Sequence, residues 1–185
     1  MLKRSTDIFM ERVLMLDNLV RATLMLLGCL LTLISAQVFA ITPSLSIVRE
    51  IDYGVVLPEP GSCRMIAKTA VIMGYQGTNI CIMQDDAHNG LYTITANPNK
   101  NIRVKVPPNQ DNGDGLIFNP YVELNSDGET PQTIFNNPGF VSINSGATGV
   151  VNVYLGGDLI ISRSYPYSQL VTFSFIDVIE WHEDP

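Results

Sequence analysis

Between Asn101 and Val106 the chain runs Asn-Ile-Arg-Val-Lys-Val, a strict alternation of polar and apolar residues. Successive side chains on a strand point to opposite faces, so this pattern marks a strand with one face in water and one in a core. Short apolar or alternating runs recur at 45–51, 55–57, 65–73, 80–83, 91–96, 117–124, 139–143, 150–155, 159–162 and 170–181. No window after residue 41 repeats apolar residues at the spacing of an amphipathic helix. Breakers separate the runs: Pro58-Glu-Pro-Gly61, Asn97-Pro98, Pro107 to Gly115, Ser126-Asp-Gly128, Asn136-Asn-Pro-Gly139 and Gly156-Gly-Asp158. Gly, Asn and Asp tolerate the positive φ of tight turns, and Pro removes a ladder donor. Many short strands joined by such turns predict an all-β domain, an antiparallel β-sandwich.

Two runs carry more than this. Leu45, Ile47, Ile51, Tyr53 and Val55 fall on one face of a continued strand, which Arg49 alone interrupts. The run from Leu170 to Trp181 is about twice the usual strand length. Val171, Phe173 and Phe175 share one face of it, yet continuing the alternation adds Asp177 to that face and sends Ile176 and Val178 to the other. A bulge or a crossing between sheets is therefore expected near Phe175. Both ends of the domain read as strands, and Leu45, Ile47, Ile51, Tyr53, Val171, Phe173 and Phe175 are the candidate residues of a strand-pairing edge.

The first forty residues have a different pattern. Ala22 to Ser35 is almost wholly apolar and ends in Ala36-Gln-Val-Phe-Ala40. It has the length of a secretory core and is shorter than the roughly 20 residues that span a bilayer. Val38 and Ala40 supply the short side chains a signal peptidase accepts, so cleavage is expected between Ala40 and Ile41, leaving no stable membrane span. Translation starting at Met10, Met15 or Met25 would preserve the apolar core. Leu26-Leu-Gly-Cys29 has the outline of a lipoprotein box, but processing there would leave Leu30, Leu31, Leu33 and Ile34 at the new N-terminus. The expected organisation is thus a removed signal helix over 1–40 and one β domain over 41–185.

Charge and cysteine count change once this segment is set aside. The whole chain has 11 basic and 18 acidic residues. The first forty hold four of the bases and three of the acids, leaving seven against fifteen. An acidic domain this poor in Lys and Arg is unsuited to nucleic acid or an anionic membrane. Cys29 leaves with the signal, and Cys63 and Cys81 remain. An even pair in an oxidising compartment favours a disulfide closing a loop of about 18 residues, with two buried thiols as the alternative.

Candidate chemistry is sparse. His88 sits in Gln84-Asp-Asp-Ala-His-Asn-Gly90, where turn chemistry accounts for the same residues. His182 lies in an acidic terminus, expected to fray. The segments 111–115 and 125–129 carry oxygen ligands near glycine but lack an EF-hand spacing. Gly-x-Ser-x-Gly, P-loop and Gly-x-Gly-x-x-Gly patterns are absent. The expectation is no catalytic residue, no metal and no cofactor. Tyr165, Tyr167, Phe173, Phe175 and Trp181 read as core aromatics, with a sugar-stacking platform as their other use.

Four motifs occur in a familiar order: Asp52-Tyr-Gly54 with Val55-Val56, Gly90-Leu-Tyr-Thr-Ile-Thr95, Leu155-Gly-Gly-Asp-Leu159 and Tyr167-Ser-Gln-Leu-Val-Thr-Phe-Ser-Phe175. In them the chain resembles an uncharacterised family of exported bacterial β domains, similar to spore coat protein U-like domains and to subunits of archaic chaperone–usher pili. That family usually carries Gly two residues after the Tyr of the last motif, where this chain has Gln169. The resemblance implies an immunoglobulin-like or pilin-like sandwich, found in the periplasm, at the cell surface or outside the cell. Its implied role is structural or adhesive, as a fimbrial or coat-like subunit. Other subunits of a surface polymer and a periplasmic chaperone would be its partners, associating by β-strand addition. The alternative is a self-contained extracytoplasmic module that recognises a small ligand or glycan through its loops.

Overall fold

The structure is a computed structural model that describes residues 41–83, 85–107, 110–111, 115–135, 137–166 and 169–185. Among the described residues every regular element is a strand, numbered β1 to β14 in chain order. The expected export segment 1–40, with Cys29 and Ala40, lies outside them, as do the middle of the 111–115 loop and the first two residues of the last motif.

The longest strand organises the rest. One edge of β12 (Val150–Ile161) pairs with β9 (Leu116–Ser126), from Val151 opposite Ser126 to Ile161 opposite Leu116. Two strands share its other edge: β6 (Gly90–Thr95) takes 150–155 and β3 (Gly61–Met65) takes 157–161. Outside β6 lies β1 (Ser44–Arg49), and outside β3 lies β4 (Ile72–Gly74). The short β8 (Gln110–Asp111) and β10 (Gln132–Phe135) flank β9 and complete an eight-stranded sheet. Two three-stranded sheets accompany it. One has the order β11 (Val141–Asn144), β7 (Asn101–Lys105), β14 (Glu180–Glu183), and the other β13 (Gln169–Phe173), β2 (Ile51–Val56), β5 (Cys81–Met83). All pairings between these strands are antiparallel.

One core joins the three sheets. Ile51 and Tyr53 from β2, Tyr92 and Ile94 from β6, Ile102 and Val104 from β7, and Val151, Val153 and Leu155 from β12 are all fully buried. Phe118 of β9 stands edge-on to Tyr53 at 6.1 Å and to Phe175 at 5.4 Å, linking three parts of the chain through rings. Such edge-to-face pairs each add roughly 0.5–1.5 kcal/mol beyond the area they bury. The Tyr53 hydroxyl donates to the Gly157 carbonyl oxygen at 2.7 Å, which satisfies the one polar atom this ring takes into the core.

Several boundaries differ from the sequence pattern for local reasons. Leu45 to Val55 is not one strand face. The chain bulges between Ile47 and Arg49, and Glu50 then separates β1 in the large sheet from β2 in another. Val55 turns outward because Gly54, at φ 69°, shifts the alternation, and Asp52 Oδ1 holds that kink by accepting from the Gly54 N–H at 2.7 Å. The run 65–73 is a hairpin, closed by the Ala70 N–H on the Ile66 carbonyl. Gly156-Gly-Asp158 is no turn: β12 runs straight through it. A Cβ at Gly156 would collide with the Met65 carbonyl oxygen and the Ala67 nitrogen, so the glycine serves close backbone approach where β12 changes neighbours. The run 170–181 does cross between sheets: β13 pairs with β2, a turn follows Phe175, and β14 pairs with β7. Residues 180–183 accordingly form β14, where a frayed terminus was expected.

Candidate strand-pairing edge

β1 carries two of the candidate edge residues, Leu45 and Ile47. It pairs in register with β6, Leu45 opposite Ile94 and Ile47 opposite Tyr92, and among the described residues β6 is its one strand partner. Its free edge is therefore an edge of the large sheet. Five of its six residues are exposed and only Leu45 is half-buried. Ile47 and Val48 are nevertheless apolar, at 44% and 58% exposure, and Ile41 ahead of them is exposed as well. An apolar edge strand of this kind is a template for another chain.

The corner after β1 is pinned at two points. Arg49 donates from Nε to the Asn89 carbonyl oxygen at 2.9 Å and from Nη2 to Asn89 Oδ1. Asn89 is itself fully buried and donates to the Ala67 carbonyl oxygen. Glu50 accepts from the Tyr92 hydroxyl through Oε2 and from Ser174 Oγ at 2.8 Å through Oε1. Tyr92 in turn accepts from the Phe175 N–H at 3.0 Å. Burial, followed by the Glu50 hydrogen bond, pushes the Tyr92 phenol above its ordinary range. This group ties the β1–β2 corner to β6 and to the crossing behind β13, while β1 itself stays on the outside.

The other edge candidates fall elsewhere. Ile51, Tyr53 and Phe175 are core residues, and β2, which carries the first two, lies between β13 and β5 in its sheet, away from an edge. Val171 and Phe173 lie on β13, which is described in backbone only and pairs with β2 of the same chain from Gln169 opposite Val56 to Phe173 opposite Ile51. β1, β13 and the last strand β14 thus all find partners within one chain. The aromatic set 165, 167, 173, 175 and 181 is not one platform, since Phe175 lies in the core and Tyr165 and Trp181 pack against it.

Cys63 of β3 and Cys81 of β5 form a disulfide between the large sheet and the β13–β2–β5 sheet, both residues fully buried. Such bonds persist in oxidising, extracytoplasmic compartments. Sequence reading missed the nearby ion pair. Asp158, 2% exposed, accepts from Arg64 Nε at 2.5 Å and from Nη2 at 2.9 Å, and the guanidinium lies 4.4 Å from the Tyr75 ring centre. The Asp158 hydrogen bond raises the Arg64 pKa, and burial followed by the Asp158 charge pushes Tyr53 well above its ordinary range. The only sequence signal was register: Arg64 and Asp158 face each other once β3 and β12 pair.

His88 exchanges backbone hydrogen bonds with Asp52, and its Nδ1 is buried without a partner among the described residues. His182 stands on β14 with Phe140 edge-on at 4.8 Å. Among the described residues no three His, Cys, Asp or Glu side chains are grouped to hold a metal ion. A shallow cleft of about 200 Å³ between Ser62, Thr78 and Ile160 has its two hydroxyls already bonded to each other and to the Tyr75 carbonyl. Comparison with protein-family models, curated proteins and solved structures finds no match.

Proposed function

We propose that this protein is a non-enzymatic, exported structural or adhesive component of a surface, a pilin-like or immunoglobulin-like sandwich whose copies associate by β-strand pairing through β1. The observation that carries the reading is the placement of β1: an apolar edge strand, exposed along its length, joined to the body through Glu50. The β6 edge beneath it presents the same backbone groups to β1 of its own chain or of another. Exchange trades like pairing for like, so the equilibrium is set by concentration and by the freedom of the corner rather than by new contacts. In a surface polymer a periplasmic chaperone would guard that edge until assembly.

A second reading, a self-contained binding module, draws support from the pairing of the first and last strands, β1 and β14, within one chain. One experiment separates the two. Residues 41–185 and 50–185 are produced in an oxidising compartment and compared by sedimentation and by uptake of a peptide spanning 41–49. Strand exchange requires concentration-dependent oligomers of the longer chain, and a folded monomeric shorter chain that captures the peptide. A longer chain that stays monomeric at every concentration, with no peptide uptake by the shorter one, refutes exchange and leaves the binding module.

A further inference from the structure

The outward face of the large sheet carries a constellation that strand exchange does not use. On β9, β10 and β12 the residues Val122, Leu124, Ile134, Val153 and Leu155 are buried, so Tyr121, Asn125, Phe135, Asn152 and Tyr154 project from the opposite face. Tyr121 lies opposite Phe135 with ring centres 5.7 Å apart, and Phe135 is 42% exposed. Tyr154 lies opposite Glu123, one diagonal step from Tyr121. Beside these rings runs a polar row, Thr93 opposite Asn152 opposite Asn125, across three strands about 4.8 Å apart. Thr93 Oγ1 donates to Asn152 Oδ1 at 3.3 Å, and Asn125 is half-exposed.

Charge narrows what can lie there. The acid of this face, Glu123, is held by Lys68 at 3.0 Å, which leaves the surface neutral on a chain of net charge −7. Among the described residues of this face the cations Lys68 and Arg64 are both held in ion pairs, so an anionic partner finds little to bind it. We infer that this face binds an extended neutral polysaccharide, its apolar ring faces on Tyr121, Phe135 and Tyr154 and its hydroxyls on the Thr93–Asn152–Asn125 row. Aromatic rings supply apolar area with a fixed shape, and each carboxamide offers both donors and acceptors, the pairing that a sugar's two kinds of surface require. The inference does not depend on strand exchange.

The test uses the full chain made in an exporting host and measures retention on cellulose and chitin powders, with the anionic polymer alginate as a contrast. The wild type should be retained on at least one neutral polymer and not on alginate. Phe135→Ala and Tyr154→Ala should each weaken binding about tenfold, while Phe140→Ala, an exposed aromatic near β14, should leave it unchanged. If Phe135→Ala fails to fold, Asn125→Ala carries the test, with a loss of about threefold. The inference is overturned by absence of retention on both neutral polymers, or by stronger retention on alginate. Equal losses in all three aromatic variants also overturn it, as does a change in sedimentation with unchanged sugar binding, which would make the face a contact between copies.

Discussion

Removing the Arg64 guanidinium isolates the energetics of its ion pair with the buried Asp158. Asp158 is 2% exposed and takes both of its hydrogen bonds to Arg64 from the same fork, while Arg64 is 35% exposed. Arg64→Met keeps an apolar stem against Tyr75 but leaves a carboxylate in the sheet without its cation. Breaking a buried pair from one side costs roughly 3–5 kcal/mol, and water reaching the arginine side places this case near the lower end, about 3 kcal/mol. Arg64→Lys retains the charge without the fork and should lose less, about 1–2 kcal/mol. Arg64→Met combined with Asp158→Leu removes both charges and should recover to within about 1 kcal/mol of the wild type. Urea midpoints at constant slope measure all three, and the double-mutant cycle with Asp158→Leu gives the coupling. A loss below about 1 kcal/mol for Arg64→Met, or a double variant as unstable as the sum of the singles, would refute the assignment of a stabilising role to this pair.

Three further outcomes follow from the fold. Replacing Cys63 and Cys81 together by Ala should lower stability by about 3 kcal/mol, the chain-entropy value for a bond spanning 18 positions, as read by urea unfolding. Hydrogen bonds from the Asn97 side chain and backbone lower the pKa of Glu183 beneath its ordinary 4.5. Its contribution is therefore present above pH 4.5 and lost as pH falls through the lowered value, so the stability gap between wild type and Glu183→Gln should close on acidification below that point. Gly156→Ala forces a side chain against two backbone atoms and should cost about 2 kcal/mol or more, whereas Gly128→Ala, with open space but φ 76°, should cost about 1 kcal/mol, both by thermal unfolding.

The class of fold was legible because strand alternation is local: Asn101–Lys105 and Gly90–Thr95 declare a wet and a dry face within six residues. The crossing near Phe175 was legible for the same reason, since a change of phase requires a change of sheet or a bulge. What alternation cannot report is which strand lies alongside. Gly156-Gly-Asp158 has the composition of a turn, and only the neighbours of β12 show that its glycines serve close approach and that its aspartate is ion-paired. The split at Glu50 escaped for a related reason. Leu45 and Tyr53 have the same parity, and the bulge between them ends at Arg49, whose guanidinium bonds Asn89, forty positions away. Edge candidates were thus visible as strands, but their burial was set by partners that no local pattern names.

The position of β12 late in the chain also has a temporal meaning. Arg64 waits for Asp158, 94 positions downstream, and β6 and β9 wait for the same strand. At translation speeds of about 5–20 residues per second, β3 spends on the order of ten seconds without its partner. During that interval the apolar faces of β2, β3, β6 and β9 form no closed core, and the chain is most exposed to wrong pairing. The same strand that knits the finished sheet therefore sets a clock for the unfinished one. Any factor that shields β edges would act before β12 is available to pair.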